Sequence, residues 1–357
     1  MEFPLGQRLR QLDGPVLLTG HTGFKGTWMT FLLEHLNVPV VGYALSPESD
    51  SLFVRGKRDG LIPEVFADIR DYSKLEFWID LHKPAVIIHM AAQPIVLKSY
   101  VNPHETFDIN VMGTANVLDI AFKRDFIKTV IVVTTDKVYR NDNSGKAFIE
   151  TDPLQGKDPY SASKVGTESV ISAWQQIALI SGGPQVISVR SGNVIGGGDF
   201  SENRLIPDLI RGVIKNESVS LRNPESTRPW QHVLDPLRGY LMAAEESLSN
   251  VELKNLNFGP IELSISVREV AEIAKAYFPK LDIEFGETAV FNAKESLFLN
   301  LDSSLSFKEI KWKPTFSQDF AINSTFEWWR KLLDMNSTAQ ELCKVEIEFY
   351  LESDFDS

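Results

Sequence analysis

The residues most capable of chemistry lie in two short segments near the middle of the chain. The first ends in Thr135-Asp136-Lys137, and the second, about two dozen residues later, contains Tyr160 and Lys164. A tyrosine that precedes a lysine by four positions on a helix shares a face with it, and the nearby ammonium favours the phenolate. Such a phenolate can accept the proton of a sugar hydroxyl while the attached carbon loses a hydride. Thr135 could orient the same hydroxyl, although a β-branched residue that merely ends a strand would look the same.

Asp136 and Lys137 place an acid and an amine side by side. Once C4 of a hexose is a ketone, the proton on C5 is acidic, so a base can remove it while an acid protonates the leaving hydroxyl on C6. Hydride returned to C6 then leaves a 4-keto-6-deoxy sugar and regenerates a nicotinamide cofactor. A charged pair at the end of a strand is also common in solvated loops. The pair therefore predicts loss of water only if the chain also has a dinucleotide site.

The elements that must position these residues alternate between strands and helices. Short apolar runs predict buried parallel strands at 16–18, 38–45, 65–67, 85–90, 129–134 and 186–189. Residues at helical spacing lie between them, and Tyr160 opens one of the helices. This alternation predicts an α/β fold, a Rossmann-type doubly wound parallel sheet.

The pattern changes after the glycines at 196–198 and predicts a smaller, mixed α/β C-terminal substrate lobe. The predicted helices and strand of this lobe are 205–214, 219–221, 236–247 and 267–277. We predict a dinucleotide-binding domain with the catalytic residues at 1–194 and a sugar-nucleotide-binding lobe at 195–357, with the chain free to cross between them. The stretch 320–351 is predicted to be helical, with Trp328 and Trp329 in the core or a dimer contact.

A glycine-rich segment after the first strand predicts the dinucleotide site. Its glycines allow a tight turn, close approach of the backbone to a pyrophosphate and close packing of helix on strand. The predicted cofactor contacts in this segment are Gly20, Thr22, Gly23, Phe24, Lys25 and Gly26. Lys25 could reach a phosphate or lie on a solvated helix face. The second strand ends without an acid for the adenosine ribose and without an arginine for a 2′-phosphate, which favours NAD over NADP.

Composition excludes several classes of function. A formal net charge of −12 disfavours nucleic-acid and anionic-membrane partners. The single Cys343 excludes an internal disulfide framework, and the spacing of the six histidines suits no metal, so we assign no metal site. Residues 1–12 lack the apolar run of a signal peptide or membrane span. We therefore expect a cytoplasmic protein.

Six motifs together resemble the nucleotide-sugar 4,6-dehydratases of the extended short-chain dehydrogenase/reductase superfamily. They are residues 20–26, 135–137, 160–164, 193–199, 204–208 and 228–233. The resemblance runs through most of the chain and thins after about residue 261. In relatives that act on dTDP-glucose, an Asp-Glu pair fills the position of Asp136-Lys137, so the lysine points to the branch that acts on CDP-glucose. The resemblance implies Asp136 as the acid toward the C6 hydroxyl and Lys137 as the C5 base.

The same resemblance implies further contacts with cofactor and substrate. On the cofactor side it implies Asp68 and Ile69 at the adenine and Ala91 and Ala92 beside the nicotinamide half, although all four could be structural caps. The implied substrate contacts, mostly to the pyrophosphate, are Asn193, Arg204, Arg228, His232 and Asn257. Surface ion pairs are the alternative for the two arginines, and an interior position is the alternative for the histidine.

The family pattern implies a tightly bound NAD that is regenerated in each turnover, a nucleotide-sugar substrate, and a homo-oligomer, either dimer or tetramer. The reaction predicted first is the conversion of CDP-D-glucose to CDP-4-keto-6-deoxy-D-glucose. The alternatives are a nucleotide-sugar 4-epimerase or reductase, a 4,6-dehydratase acting on a dTDP, GDP or UDP sugar, and a non-catalytic NAD-binding protein. An epimerase would not need Asp136 and Lys137, and a protein without catalysis would not need Tyr160 and Lys164.

Overall fold

The computed structural model describes residues 4–221, 223–249, 252–261, 264–286 and 299–355. The strands in these ranges are β1 (Val16–Thr19), β2 (Val40–Ala44), β3 (Glu64–Phe66), β4 (Val86–His89), β5 (Thr129–Val133), β6 (Ala147–Phe148), β7 (Gln185–Ser191), β8 (Asn193–Ile195), β9 (Val219–Leu221), β10 (Thr227–Arg228), β11 (Trp230–His232), β12 (Asn255–Phe258), β13 (Ile265–Ser266), β14 (Ile283–Phe285) and β15 (Asn300–Leu301).

The α-helices in the same ranges are α1 (Gln7–Arg10), α2 (Phe24–His35), α3 (Leu52–Arg55), α4 (Tyr72–His82), α5 (Val96–Val101), α6 (Pro103–Phe107), α7 (Gly113–Phe122), α8 (Pro159–Ser181), α9 (Leu205–Lys215), α10 (Leu234–Ser247), α11 (Val267–Tyr277), α12 (Ser304–Ile310), α13 (Gln318–Leu333) and α14 (Ala339–Phe355). A π-helical turn spans Asp108–Met112, and a 3₁₀ turn spans Asp136–Val138.

A parallel sheet of seven strands forms the centre of the described structure, in the order β12-β7-β5-β4-β1-β2-β3. All of its strand pairs are parallel. Strand order reverses between β1 and β4, and ligands of doubly wound sheets bind outside the carboxyl ends of the strands at such a switch point. The six predicted strands and the predicted fold class are confirmed.

The seventh strand, β12, was not predicted. It joins the edge of the sheet beside β7, although it comes from the part of the chain assigned to the substrate lobe. Two asparagines, Asn255 and Asn257, interrupt its apolar pattern. The chain therefore returns to the central sheet after residue 194, and the division of the chain at that residue stays a prediction.

Apolar layers cover both faces of the sheet. On one face, strand residues such as Leu18 and Ile88 pack in a cluster that includes residues of α2 and α10. On the other face, residues such as Leu17 and Ile87 pack in a cluster that includes residues of α4, α7 and α8. Because both faces of the sheet are buried, its strands contain the short apolar runs seen in the sequence. The two layers hold the carboxyl ends of the strands in fixed positions.

The C-terminal region follows the predicted pattern with one difference. Helices α9, α10 and α11 and strand β9 lie where the sequence places them. The stretch 320–351 forms two helices, α13 and α14, joined by a turn in which Met335 adopts a positive φ of 56°. Trp328 and Trp329 are buried in the core that α2 and α10 share, so core packing, and not a dimer contact, accounts for both side chains.

Membrane-spanning helices and metal-binding clusters are both absent from the described residues. No helix there is long and apolar enough to cross a bilayer. No group of three or more His, Cys, Asp or Glu side chains there is arranged to hold a metal ion.

Candidate active site

The turn between β1 and α2 has the geometry that a diphosphate requires. Gly20 has a φ of 75°, and a Cβ there would lie 2.8 Å from the backbone nitrogen of Ala91. A Cβ on Gly26 would lie 2.1 Å from the Gly20 carbonyl oxygen, so only glycine allows the helix to pack this closely. Gly23 is the N-cap of α2 and supplies no side-chain cap. The first amide groups of α2 are thus left for an anion, and the residues present fit a dinucleotide.

The predicted adenine contacts lie at the next strand ends on the same edge of the sheet. Asp68 follows β3, and its carboxylate accepts hydrogen bonds from the Arg70 guanidinium at 2.6 and 3.0 Å. These hydrogen bonds hold the pKa of Asp68 below its usual value. Arg70 also reaches Asp108 at 3.1 Å. Ile69 is buried against Gly113, where a Cβ would lie 2.7 Å from the isoleucine.

Other predicted cofactor residues connect the glycine turn to its neighbours. The Thr22 hydroxyl donates to the carbonyl of Leu45 at the end of β2, at 3.0 Å. The Ala91 amide donates to the Thr19 hydroxyl at 3.2 Å, which holds the segment after β4 against the end of β1. Ala91 and Ala92 are both half-buried. The structure thus brings the segment after β4 against the glycine turn, while the cofactor roles of these residues stay a prediction.

Lys25 does not lie on a solvated helix face. Its ammonium points inward and donates to the hydroxyls of Tyr240 at 2.8 Å and Ser191 at 3.2 Å. Burial, followed by the positive charges of Arg204 and Lys164, lowers the pKa of Lys25 to about 7. The side chain is therefore directed toward the end of β7 and the reaction centre.

Tyr160 and Lys164 are fixed by the start of α8. Asp158 caps this helix by accepting from the amide of Ser161 at 2.9 Å, and Pro159 occupies its first position. Lys164 lies one turn after Tyr160, and its ammonium donates to the carbonyl of Val133 at 3.1 Å. Burial lowers the pKa of Lys164 to about 8, against the opposing charge of a glutamate on the next turn.

The cations that act on Tyr160 are not Lys164, the one that the sequence predicts. Burial raises the pKa of Tyr160, and the charges of Lys137 and Arg204 and the hydroxyl of Thr135 oppose that rise. The support for a phenolate thus comes from Lys137 and Arg204, whereas Lys164 holds the end of β5. The charge of Asp136 acts in the other direction, so four of the predicted catalytic and substrate residues influence one phenol.

Asp136 and Lys137 lie on the 3₁₀ turn that follows β5. The Asp136 carboxyl is fully buried, and its Oδ1 accepts from the Thr135 hydroxyl at 2.9 Å and the Lys137 ammonium at 3.1 Å. Its Oδ2 is buried and has no hydrogen-bond partner among the described residues. The Lys137 side chain is 34% exposed and also approaches Asn193 Oδ1 at 3.4 Å. The acid is therefore enclosed, with one oxygen that has no hydrogen-bond partner among the described residues, and the amine lies nearer the solvent.

A buried ion pair behind the reaction centre was missed by the sequence reasoning. Glu168, one turn after Lys164 on α8, accepts two hydrogen bonds of 2.8 Å from Arg190 on β7. Its Oε1 also accepts from the hydroxyls of Thr134 at 2.6 Å and Ser188 at 2.7 Å. An arginine inside a buried strand and an acid four residues after Lys164 were the available signals. The pair ties α8 to the ends of β5 and β7.

The predicted substrate residues divide into two groups. Asn193 approaches Lys137, and Arg204 lies close enough to affect Tyr160. Arg204 is partly exposed and forms an ion pair with Asp199 at 3.3 Å. Arg228 lies in β10, with a guanidinium nitrogen that donates to the carbonyl of Thr227 at 2.7 Å. Of these, the structure shows only Asn193 and Arg204 near the reaction centre.

His232 and Asn257 belong to the interior of the protein, and the substrate roles expected for them stay a prediction. His232 is fully buried, with Nε2 3.1 Å from a carboxylate oxygen of Glu346. Asn257 is also fully buried; its Oδ1 accepts from the hydroxyl of Tyr139 at 2.7 Å and its amide donates to the carbonyl of Phe148 at 2.9 Å. Because protein groups surround and bond both side chains, neither faces an open site.

The parallel sheet, the glycine turn at its first strand and the Tyr160–Lys164 pair at its carboxyl edge define a dinucleotide-dependent enzyme of the short-chain dehydrogenase/reductase type. The chain belongs to the NAD dependent epimerase/dehydratase family, whose model matches residues 16–259.

Individual relatives are consistent with this family. The chain is 37% identical to a CDP-glucose 4,6-dehydratase of Salmonella typhimurium over 327 residues, which cover 88% of this chain and 89% of the relative. A dTDP-glucose 4,6-dehydratase from Streptomyces venezuelae, solved with NAD bound, superimposes with a TM-score of 0.77 at 23% identity, covering 90% of this chain and 98% of that one. A UDP-glucose 4-epimerase from Thermotoga maritima, solved with UDP-glucose, gives 0.75 at 21%, covering 89% and 99%. The two structural matches show the shared fold.

Proposed function

We propose that this protein is an NAD-dependent dehydratase that converts CDP-D-glucose to CDP-4-keto-6-deoxy-D-glucose. The observation that carries the proposal is the Asp136–Lys137 pair, in which a buried carboxyl with one open oxygen lies beside a partly exposed amine. Both side chains also act electrostatically on Tyr160, so one sugar could contact all three. The similarity to the Salmonella CDP-glucose 4,6-dehydratase supports the same reaction.

The first step is oxidation at C4 of the sugar. Tyr160 accepts the proton of the C4 hydroxyl, and Thr135 orients that hydroxyl. Lys137 and Arg204 favour the phenolate that the step requires. NAD, held by the glycine turn and the start of α2, supplies the hydride acceptor for C4 and later the hydride donor for C6.

The second step is the elimination of water. Lys137, as a neutral amine, takes the proton from C5 while Asp136 gives its proton to the C6 hydroxyl. The C6–oxygen bond breaks, a C5–C6 double bond forms, and water leaves. After hydride has reached C6, Lys137 returns a proton to C5. A fully buried acid suits this role because bulk water cannot compete for its proton.

The nucleotide end of the substrate requires cations in a protein of net charge −12. Arg204 supplies one at the edge of the reaction centre, and its guanidinium fork suits a diphosphate oxygen. We propose Arg228 as a second contact. The assignment of cytosine as the base rests on Lys137 and on the similarity to the Salmonella CDP-glucose 4,6-dehydratase.

The test is incubation of the NAD-loaded enzyme with CDP-, dTDP-, UDP- and GDP-glucose in deuterated water, followed by mass spectrometry. We expect loss of water from CDP-glucose with one deuterium at C5, because a partly exposed Lys137 exchanges its protons with solvent. Epimerisation without loss of water would favour an epimerase, and faster dehydration of another nucleotide would reassign the base. Turnover of none of the four would refute the proposal. Lys137→Met is the matched control: it should lose elimination and slow C4 oxidation only in part, since Arg204 and Thr135 still favour the Tyr160 phenolate.

We further propose that the protein is a homo-oligomer in the cytoplasm. Three exposed apolar side chains, Val101, Phe107 and Met112, lie on segments of the chain that pack against α8. A second copy could cover them and rigidify the helix that carries Tyr160. Light scattering should give at least the mass of a dimer for the native protein and a smaller mass for Phe107→Glu. A monomeric native protein would contradict the proposal.

A further inference from the structure

The ammonium of Lys25 is one corner of a closed triangle of hydrogen bonds. It donates to the hydroxyls of Tyr240 and Ser191, and these two hydroxyls contact each other at 2.9 Å. The ammonium also lies 5.0 Å from the centroid of the Tyr240 ring. Within the described residues, no carboxylate forms an ion pair with it at contact distance. The triangle connects the first turn of α2 to the end of β7 and to α10.

The open oxygen of the proposed acid faces the same end of β7. Ser191 is followed by Gly192, and a Cβ there would lie 3.2 Å from Asp136 Oδ2. That Oδ2 is the carboxylate oxygen without a partner among the described residues. The negative charge of Asp136 also acts directly on Lys25, where it opposes the effects of burial and of Arg204 and Lys164. The inward-facing cation and the carboxyl oxygen without a partner thus both lie beside the backbone of Ser191 and Gly192.

We propose that Lys25 is a positioning residue for the dehydration, which fixes the end of β7 and stabilises the carboxylate that Asp136 becomes when it protonates the leaving hydroxyl. In that step the proton passes from Asp136 to the C6 hydroxyl, the C6–oxygen bond breaks and water leaves, while Lys25 keeps its own protons. A cation whose charge acts on Asp136 favours the carboxylate as it forms. This inference rests on the proposed function.

The position differs from that of a phosphate ligand. A lysine that binds the pyrophosphate would turn toward the open side of Gly23, where a Cβ would have only the Gly20 carbonyl oxygen within 4 Å, at 3.4 Å. Lys25 turns the other way, toward Ser191 and Tyr240. Loss of its charge should therefore affect the elimination much more than the binding of NAD.

Three proteins separate charge from packing: the native enzyme, Lys25→Met, which is always neutral, and Lys25→Arg, which is always charged. Because the pKa of Lys25 is lowered to about 7, the native side chain loses its charge across neutral pH. The other groups that face the pair are Lys137, Tyr160 and Arg204 around Asp136, and Lys164 and Tyr240 around Lys25. These are present in all three proteins, so the ratio of rates between proteins cancels their titration.

The measurement is the rate of water loss from CDP-glucose between about pH 6 and pH 8.5, together with NAD affinity by calorimetry. We expect Lys25→Met to be roughly 10-fold slower than native near pH 6 and within about 2-fold near pH 8.5. Lys25→Arg should keep its rate at the higher pH. NAD affinity of Lys25→Met should change by less than about 3-fold. Tyr240→Phe, which removes one hydrogen bond but leaves the lysine charge, should retain the native pH dependence.

Three results would overturn the inference. An equal loss of rate at every pH in Lys25→Met would show that the lysine acts through packing alone. A fall in NAD affinity of about 10-fold or more, matching the fall in rate, would make it a phosphate contact. The third result, native enzyme that oxidises C4 but never loses water, would refute both this inference and the proposed dehydration. The first two results, with normal dehydration by the native enzyme, would refute this inference alone.

Discussion

The ion pair of Glu168 and Arg190 should hold the reaction centre together, and Glu168→Gln tests this. The substitution keeps the shape of the side chain but leaves the buried Arg190 guanidinium, whose side chain is 2% exposed, without its counter-charge. Breaking one partner of a buried pair costs about 3–5 kcal/mol. At the lower end, the melting temperature should fall by roughly 4 °C, since an unfolding entropy of about 2.1 cal/mol/K per residue amounts to about 0.75 kcal/mol/K for a chain of 357 residues.

The pH dependence of the effect has a definite sign. Burial alone would raise the pKa of Glu168, but the hydrogen bonds and charge of Arg190 more than offset it, and the pKa lies below its ordinary value. The stabilisation is therefore fully present above the pKa of the unfolded chain, about 4.3, and is lost as the pH falls through the folded value. The difference between native protein and Glu168→Gln should be largest near pH 7 and should shrink below about pH 4.

The assay is urea unfolding followed by tryptophan fluorescence, with Arg190→Met and the double variant completing a cycle. The double variant should lose less stability than the sum of the two single variants by at least about 1 kcal/mol, because it leaves no unpaired buried charge. Dehydration should also slow in Glu168→Gln, since a neutral amide oxygen is a weaker acceptor than a carboxylate for the hydroxyl of Thr134 at the end of β5. Additive effects, or a loss under about 1 kcal/mol for Glu168→Gln, would refute the reasoning.

Three further substitutions test the site. Tyr160→Phe should slow C4 oxidation by about 10²–10⁴-fold while leaving NAD binding intact, measured by absorbance of the reduced cofactor and by calorimetry. Asp136→Asn should slow loss of water by at least about 10²-fold while C4 oxidation persists, seen as reduced cofactor that accumulates after substrate is added; unimpaired water loss would remove Asp136 as the acid. Arg70→Met should weaken NAD binding by roughly 10-fold, because the Asp68 carboxylate loses the fork that orients it, and unchanged affinity would contradict that role.

Local chemistry made the first part of the fold predictable. Six strands of the central sheet contain short apolar runs, and the glycines at 20, 23 and 26 closely follow the first of them. The strand β12 could not be predicted because its asparagines interrupt the apolar pattern and its partner, β7, is distant in sequence. Only the assembled sheet shows that Asn257 is an interior residue whose side chain forms hydrogen bonds with Tyr139 and Phe148.

Side-chain direction limited the prediction of the site more than residue identity did. The sequence places Lys25 on the first turn of a helix beside a phosphate loop, where either solvent or phosphate would suit it. The fold turns it inward because Ser191 and Tyr240, more than 160 positions away, supply hydroxyl acceptors. Glu168 is one turn from Lys164, yet its importance depends on Arg190 from another strand. Such pairings arise from packing between elements, which no local spacing encodes.

Asp136 and Lys137 are in contact, yet the proposed elimination requires the acid to donate a proton and the amine to accept one. The elimination needs a protonated carboxyl and a neutral amine, which together hold the same number of protons as the ion pair. The two states differ only in the position of one proton along a hydrogen bond of 3.1 Å between Lys137 Nζ and Asp136 Oδ1. The carboxyl is fully buried and the amine is partly exposed, so solvent reaches this hydrogen bond from the side of the lysine. In the proposed mechanism this proton therefore stays on Lys137 during C4 oxidation, where its charge favours the phenolate, and moves to Asp136 before the elimination, with no net uptake or release of protons.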